Sequence, residues 1–342
     1  MNRAVAIFNG EVATDLVEIT ADLSKVDTSG KWFIAGFFEG PVLAFRFGTW
    51  STFDDQTAGV WQGPTQWSTD TDESRYTANV EFAQSKIADG DVYQVNVCRQ
   101  LSAPWPEAGH DDPLALFALL NQHNPAPYSS LLYVVDERLE QWGKSEIVVV
   151  SASPELFLTR KDSTIISSPI KGTAATSDGF LDKDISENIM IVDLVRNDLS
   201  QVCDVATVTV PHLIEKQSHP GLHHLVSTVQ GTLRSDVTWN EIFDATFPPG
   251  SVTGAPKSSA LKLIKDIESP RSIYCGALGV IDSDKQTAEL AVAIRTFWKD
   301  GEFLKFGTGA GITWGSEPHQ EWFETQLKAD NLIRVASSRW PE

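Results

Sequence analysis

The feature that most limits the fold is the recurrence of short apolar runs closed by Gly and Pro. Residues 4–8, 32–38 and 42–45 are runs of this kind, and 128–135 and 146–158 return to the same patterning. Runs too short for helices and bounded by turn residues mark antiparallel strands. An α/β (α+β) protein with a β-sandwich part follows. Helical patterns interrupt the strands. One begins at Glu73, with Tyr76, Val80, Ala83 and Ile87 on one face and a stop at Gly90. A second covers 113–121. A third opens at Glu187 and runs to Leu199 with apolar residues around nearly its whole circumference, which predicts a buried helix. Further helices are predicted from Pro256 and after Pro318.

With 342 residues, 42% of them hydrophobic, the chain can bury a sizeable core. A net charge of −19 argues against nucleic acid and anionic membrane surfaces as partners, since both demand clustered Lys and Arg. Cys98, Cys203 and Cys275 are widely spaced and fit no metal pattern. They read as buried thiols of a reducing compartment, and a cytoplasmic protein is expected. The first residues lack a signal-peptide pattern, and no apolar run is long enough to span a bilayer.

The residues that suggest chemistry start with Lys171, in Ser167-Ser168-Pro169-Ile170-Lys171-Gly172-Thr173. An ordinary lysine is almost wholly protonated at neutral pH, so a nucleophilic one needs desolvation or a neighbouring cation. A tight turn at a strand end, as Pro and Gly suggest here, can aim the amine into a cleft. Lys171 is the expected nucleophile. In the predicted strand 91–97, Gln94 and Asn96 share one face, and buried amides need partners. Glu155 follows Pro154 at a strand bend. Glu187 leaves a carboxylate to account for on a buried helix. The adjacent pair His223 and His224 does not read as a metal site, because neighbouring side chains diverge. Residues 247–257 form a Gly- and Pro-rich loop leading into a helix, where an anion such as a carboxylate would suit the free backbone N–H groups. Arg295, near the end of the predicted strand 288–296, either meets a core acid or offers its fork to a ligand carboxylate. Gly307 to Gly311 is discarded as a dinucleotide signal, having no following βαβ unit. On the last helix Glu321, Glu324 and Lys328 share a face. If they stood opposite Glu187, the carboxylates could hold Mg²⁺ with an anionic substrate.

In this order, Ser153-Pro154-Glu155, Pro169-Ile170-Lys171-Gly172-Thr173, Glu187 to Leu194, Gly250 to Lys257, Ala293-Ile294-Arg295-Thr296 and Gly309-Ala310-Gly311-Ile312 resemble signatures of the chorismate-utilising enzymes. The resemblance covers residues 73 to 338 and implies two packed, mainly antiparallel sheets with outer helices and a cleft between them. Residues 1–70 would be a shortened N-terminal β-rich part of the same domain, and 71–342 the chorismate-binding core. The resemblance further implies Mg²⁺ on Glu187 and Glu324 with Glu321 close by. Tyr274, Arg295 and the backbone near Gly311 would bind carboxylate groups, Gln94 and Lys328 would line the substrate site, and Thr253 would orient the ring. Lys171 would attack C2 while Glu155 acts as acid, and His224 matches a catalytic histidine of the anthranilate enzymes.

Two positions sort the family by reaction. Water-adding members carry a lysine where this chain has Gln94. Anthranilate synthases have a small residue where Lys171 stands. Lysine there resembles the aminodeoxychorismate synthase branch, in which ammonia ends at C4. Anthranilate synthase component I is the alternative. A catalytically silent chorismate-binding module ranks below both, because Glu155, Lys171, Glu187 and Glu324 are all present. Gly315 departs from the family pattern, which has Asp before Ser316. No cysteine lies in a glutaminase setting, so ammonia is expected from a separate glutamine amidotransferase subunit. The short N-terminal part implies that feedback binding of tryptophan is absent or vestigial.

Overall fold

The computed structural model describes residues 3–54, 59–174, 180, 182–219 and 222–340; side chains 173, 174, 182–184, 217–219, 222–224 and 340 fall outside that description. The chain opens with β1 (Arg3–Phe8), β2 (Glu11–Thr20), a short helix α1 (Ser24–Thr28), β3 (Lys31–Gly36) and β4 (Val42–Thr52). Two small strands, β5 (Trp61–Gln62) and β6 (Ser68–Thr69), lead to α2 (Glu73–Ala88), which starts where the Asp72 side chain accepts from the Arg75 amide. Next come β7 (Gln94–Pro104), α3 (Pro113–His123), β8 (Tyr128–Val135), β9 (Glu146–Ser153), β10 (Leu156–Lys161), β11 (Thr164–Ser168) and β12 (Ile170–Ala174). Then α4 (Asp182–Ser200), β13 (Thr209–His219), β14 (Leu222–Thr232), α5 (Trp239–Thr246), β15 (Gly254–Ala255) and α6 (Lys257–Ile267) follow. The chain closes with β16 (Ala277–Asp282), β17 (Thr287–Val292), β18 (Thr296–Asp300), β19 (Phe303–Ile312), α7 (Pro318–Ala336) and β20 (Arg339–Trp340).

Among the described residues every strand pairing is antiparallel. Hydrogen bonds pass along one ribbon, β6–β7–β19–β18–β9–β8–β1–β2–β4–β3–β16–β17–β10–β11–β14–β13. In addition β12 pairs with β14 and β15 with β7. The two leaves expected from the sequence are thus continuous through β1, β2 and β4. Their inner faces share one core: Phe8, Val97, Leu132, Val149 and Ala310 from one half belong to the same cluster as Phe33, Ala35, Leu278 and Leu290 from the other. The opposite face of the first leaf, with Ile7, Leu131, Val150 and Phe306, packs under Leu116 and Leu120 of α3 and Leu332 and Val335 of α7. This explains why β1 reads as a continuous apolar run. Its alternate side chains enter two different cores, so both faces are apolar.

Several elements differ from their sequence reading. β7 starts at Gln94 and runs to Pro104, because β19 pairs with it from Val95 to Pro104. α4 is not buried all round: Ile191, Val195 and Leu199 face the core, while Ile185 and Ile189 are exposed. The predicted strand 288–296 breaks after Val292, and Arg295 takes a left-handed backbone with φ of 51° before β18 begins. Gly307 lies inside β19 directly over the Tyr274 ring, where an added Cβ would overlap ring atoms. Gly307→Ala is expected to lower stability by about 1–3 kcal/mol, read as the midpoint of a urea melt; an unchanged midpoint would mean that the ring yields freely.

Candidate active site

The centre of the site is the Glu187 carboxylate on α4. Lys171 on β12 places its Nζ 2.6 Å from Glu187 Oε1, and the two side chains are 9% and 14% exposed. Gln94, at the start of β7, donates from Nε2 to the same oxygen. Gly311 on β19 makes this meeting possible. A Cβ there would fall on the Glu187 carboxylate and the Gln94 amide. Lys171 is not in a turn, as the sequence suggested. Pro169 separates β11 from β12, the β12–β14 register shifts between Ile170 and Thr173, and Gly172 has φ of 82°, so the lysine projects from a bulged strand.

Glu155 sits at the bend between β9 and β10. Its backbone is locked by Ser153 Oγ and by the Val292 amide, and its side chain is buried. Burial pushes its carboxyl above the usual range, against the pull of the Ser251 hydroxyl, the Lys171 charge and the Ile170 amide. A carboxyl held toward its neutral form is what a general acid requires. Ser251 was not singled out in the sequence. Its only signal was its place inside the Gly250-to-Lys257 run.

α7 contributes Glu324 and Lys328, paired at 2.6 Å, and the buried Glu321. Lys328 also donates to the Gly309 carbonyl at 3.0 Å. Desolvation pulls its ammonium down, but Glu324 first, then Glu187 and Glu321, outweigh it and hold it above the ordinary lysine range. Of the three predicted metal carboxylates, Glu324 thus pairs with this ammonium directly, and Glu187 and Glu321 lie near enough to act on it through charge. Their hard oxygens suit Mg²⁺. Glu187 is paired with Lys171 and Gln94, and Glu324 with Lys328, and among the described residues no three His, Cys, Asp or Glu side chains form a ready metal cluster.

The remaining predicted residues are placed less centrally. Thr253 is fully buried and donates its hydroxyl to the Pro249 carbonyl at 2.8 Å. Tyr274 is in the core, stacked 6.5 Å from Trp298, with its hydroxyl 3.8 Å from Cys98 Sγ. No contact joins it to Lys171 or Glu187. Arg295 is half-buried, burial lowers its pKa, and among the described residues its guanidinium has no hydrogen bond or ion pair. A strained backbone carrying an uncommitted cation marks a place for an anion. His224 lies on β14 opposite Thr173, and its side chain is outside the described residues. The Lys257 amine at the mouth of α6 is turned inward to Asp198. Nothing stands within 4 Å of where a side chain on Gly315 would project.

The sequence signature described as chorismate binding enzyme matches residues 55–334. The chain belongs to that family. This chorismate binding enzyme is 38% identical over 273 residues to an aminodeoxychorismate synthase of Streptomyces pristinaespiralis, covering 76% of this chain and 36% of that protein. To anthranilate synthase component 1 of Saccharolobus solfataricus it is 36% identical over 275 residues, covering 76% of this chain and 61% of the relative. Its fold matches that of MenF, the menaquinone-specific isochorismate synthase of Escherichia coli, with a TM-score of 0.78 at 18% identity, over 99% of this chain and 89% of that one. The matched part is 30 to 36% of the length of the aminodeoxychorismate synthases. Among the described residues no helix is long and apolar enough to cross a membrane, and Cys98, Cys203 and Cys275 are free and buried.

Because burial raises the Glu155 pKa, the ionised carboxylate costs folding free energy that appears as pH climbs through the carboxylate range and is absent below it. Glu155→Gln is therefore expected to melt higher than the parent near neutral pH and to lose that advantage in acid, while turnover falls about 10²- to 10⁴-fold. Thermal melts and steady-state rates across pH check both halves; a variant with parental turnover removes Glu155 from the chemistry.

Proposed function

We propose that the chain aminates chorismate at C4 with ammonia to give 4-amino-4-deoxychorismate, the reaction of an aminodeoxychorismate synthase component I, for p-aminobenzoate and folate synthesis. The observation that carries this reading is the Lys171 amine, 9% exposed, with the buried carboxyl of Glu155 close enough to feel its charge; the Glu187 carboxylate that pairs with the amine here would be drawn from it on holding Mg²⁺. The 38% identity to a protein of that name supports it.

Lys171, as the free amine, adds to C2 of chorismate while Glu155 gives its proton to the C4 hydroxyl, which departs as water. Ammonia then adds at C4 and the bond from C2 to the lysine nitrogen breaks, returning the free amine. Glu155 takes the proton that the new nitrogen releases. The sum is chorismate and ammonia in, amino product and water out. Arg295 receives a substrate carboxylate, with Tyr274, Gln94, Lys328 and the Gly311 backbone as further contacts, Thr253 orienting the ring, and His224 nearby on β14. Mg²⁺ held by Glu187 and Glu324, with Glu321 beside them, would offset the charge of a substrate carboxylate. Ammonia would come from a separate glutamine amidotransferase subunit.

A second reading, anthranilate synthase component I, draws on the 36% identity to proteins of that name. It would leave a buried lysine at position 171 without a role. The two readings separate when the purified chain is incubated with chorismate, Mg²⁺ and an ammonium salt. The expected product is aminated and keeps its enolpyruvyl group, and an added lyase turns it into p-aminobenzoate. Fluorescent anthranilate with free pyruvate would overturn the C4 reading. Lys171→Ala should lose most of the amination; an unchanged rate and product would eliminate the covalent route.

A further inference from the structure

Behind Glu155 stands a polar cluster that the chemistry above does not use. Glu155, Ser251, Thr246 and Asp198 line a cavity of about 20 Å³, among apolar side chains of β10 and α4. Lys257 Nζ lies 2.8 Å from Asp198 Oδ2 and donates to the Thr246 carbonyl at 2.8 Å. The two charged side chains are 15% and 8% exposed. Burial pushes Asp198 up and Lys257 down, each partly offset by the charge of the other. An ion pair this buried contributes little net stability, because the desolvation of two charges offsets most of their attraction.

Its placement suggests what it contributes instead. Asp198 follows Glu187 by about three helical turns, so both carboxylates project from one face of α4. Lys257 and Thr246 are the two ends of the connection from α5 to α6, and the ion pair ties both ends to α4. Between those ends stand Ser251, which lines the same cavity as Glu155, and Thr253, whose carbonyl accepts from the Asn96 amide. Asn96 is two residues from Gln94. One anchor thus closes the loop that carries Ser251 and Thr253.

We propose that Asp198 and Lys257 are positioning residues, whose ion pair locks the loop 246–257 to α4 and so keeps Ser251, beside Glu155 in the same cavity, in register with the Lys171–Glu187 contact. This rests on Glu155 and Lys171 being the acid and the nucleophile. Neither positioning residue touches substrate.

The test uses the full chain with chorismate, Mg²⁺ and an ammonium salt. The double variant Asp198→Leu/Lys257→Met removes both charges together and leaves neither uncompensated. Its thermal midpoint is expected to equal or exceed that of the parent, with KM for chorismate within about twofold and kcat down about 10- to 100-fold. A purely structural pair would move the midpoint and leave kcat per folded molecule alone. Parental kcat in the folded double variant overturns the proposal, as does a loss that only follows the folded fraction. Should the double variant fail to fold, Lys257→Arg decides. It keeps the charge but shifts the anchor, so a lowered kcat at an unchanged midpoint is expected and parental kcat overturns the proposal. Each value is a ratio to the parent on whatever product the parent makes. Failure here therefore leaves the C4 reading standing, whereas anthranilate from the parent overturns that reading and with it the premise on Lys171, whatever the kcat of the variant.

Discussion

The Arg271 guanidinium, 1% exposed, holds together the segments on which the cleft is built. Its Nε and Nη2 bond the two oxygens of Glu268, its Nη1 donates to the Val252 carbonyl, and its Nη2 also reaches the Asn96 carbonyl. Asn96 belongs to β7, which carries Gln94, and Val252 lies between Ser251 and Thr253. Glu268 takes a further bond from the Cys98 amide, and Glu39 receives the Arg271 and Ser272 amides. Such a pair is tolerable in the core because nearly every donor finds an acceptor, which a lysine with its point charge could not reproduce. This clamp joins β7 and the loop before β15 through one buried side chain.

The opposite side depends on missing side chains. Gly311 lets Glu187 and Gln94 share the space above β19, and Gly250 stands where a Cβ would strike Leu194 of α4. Close approach of α4 to β19 and to the loop before β15 is therefore a matter of backbone against side chain, with no room for a methyl group. The same closeness puts Glu187 within reach of both Lys171 and the charge of Lys328, so that α4 and α7 act on one small volume.

Much of the fold was legible because its signals are local. Tyr76, Val80 and Ala83 are buried on α2 as their spacing requires, and β8 spans the residues its apolar run suggested. Errors arose where tertiary partners override local pattern. α4 looks apolar all round, yet among the described residues only the stripe that meets β12 and β14 is covered, and Ile185 and Ile189 are exposed. Pro169 and Gly172 read as a turn, but pairing with β14 draws the lysine into a strand and absorbs the irregularity as a bulge. Arg295 looked like a strand residue, whereas the chain breaks there to pass from one leaf to the other.

By itself the sequence determined the antiparallel architecture, the helix faces and the identity of the groups able to do chemistry, because alternation, turn residues and functional-group chemistry are properties of neighbouring residues. It also named Lys171, Glu155, Glu187 and Gln94. Only the tertiary structure decided that Lys171 and Gln94 share one oxygen of Glu187, that the Glu155 carboxyl is screened from water, and that Asp198 and Lys257 pair across α4 and α6. Those facts depend on distances between residues far apart in the chain, and such distances are set when the ribbon folds onto its own core.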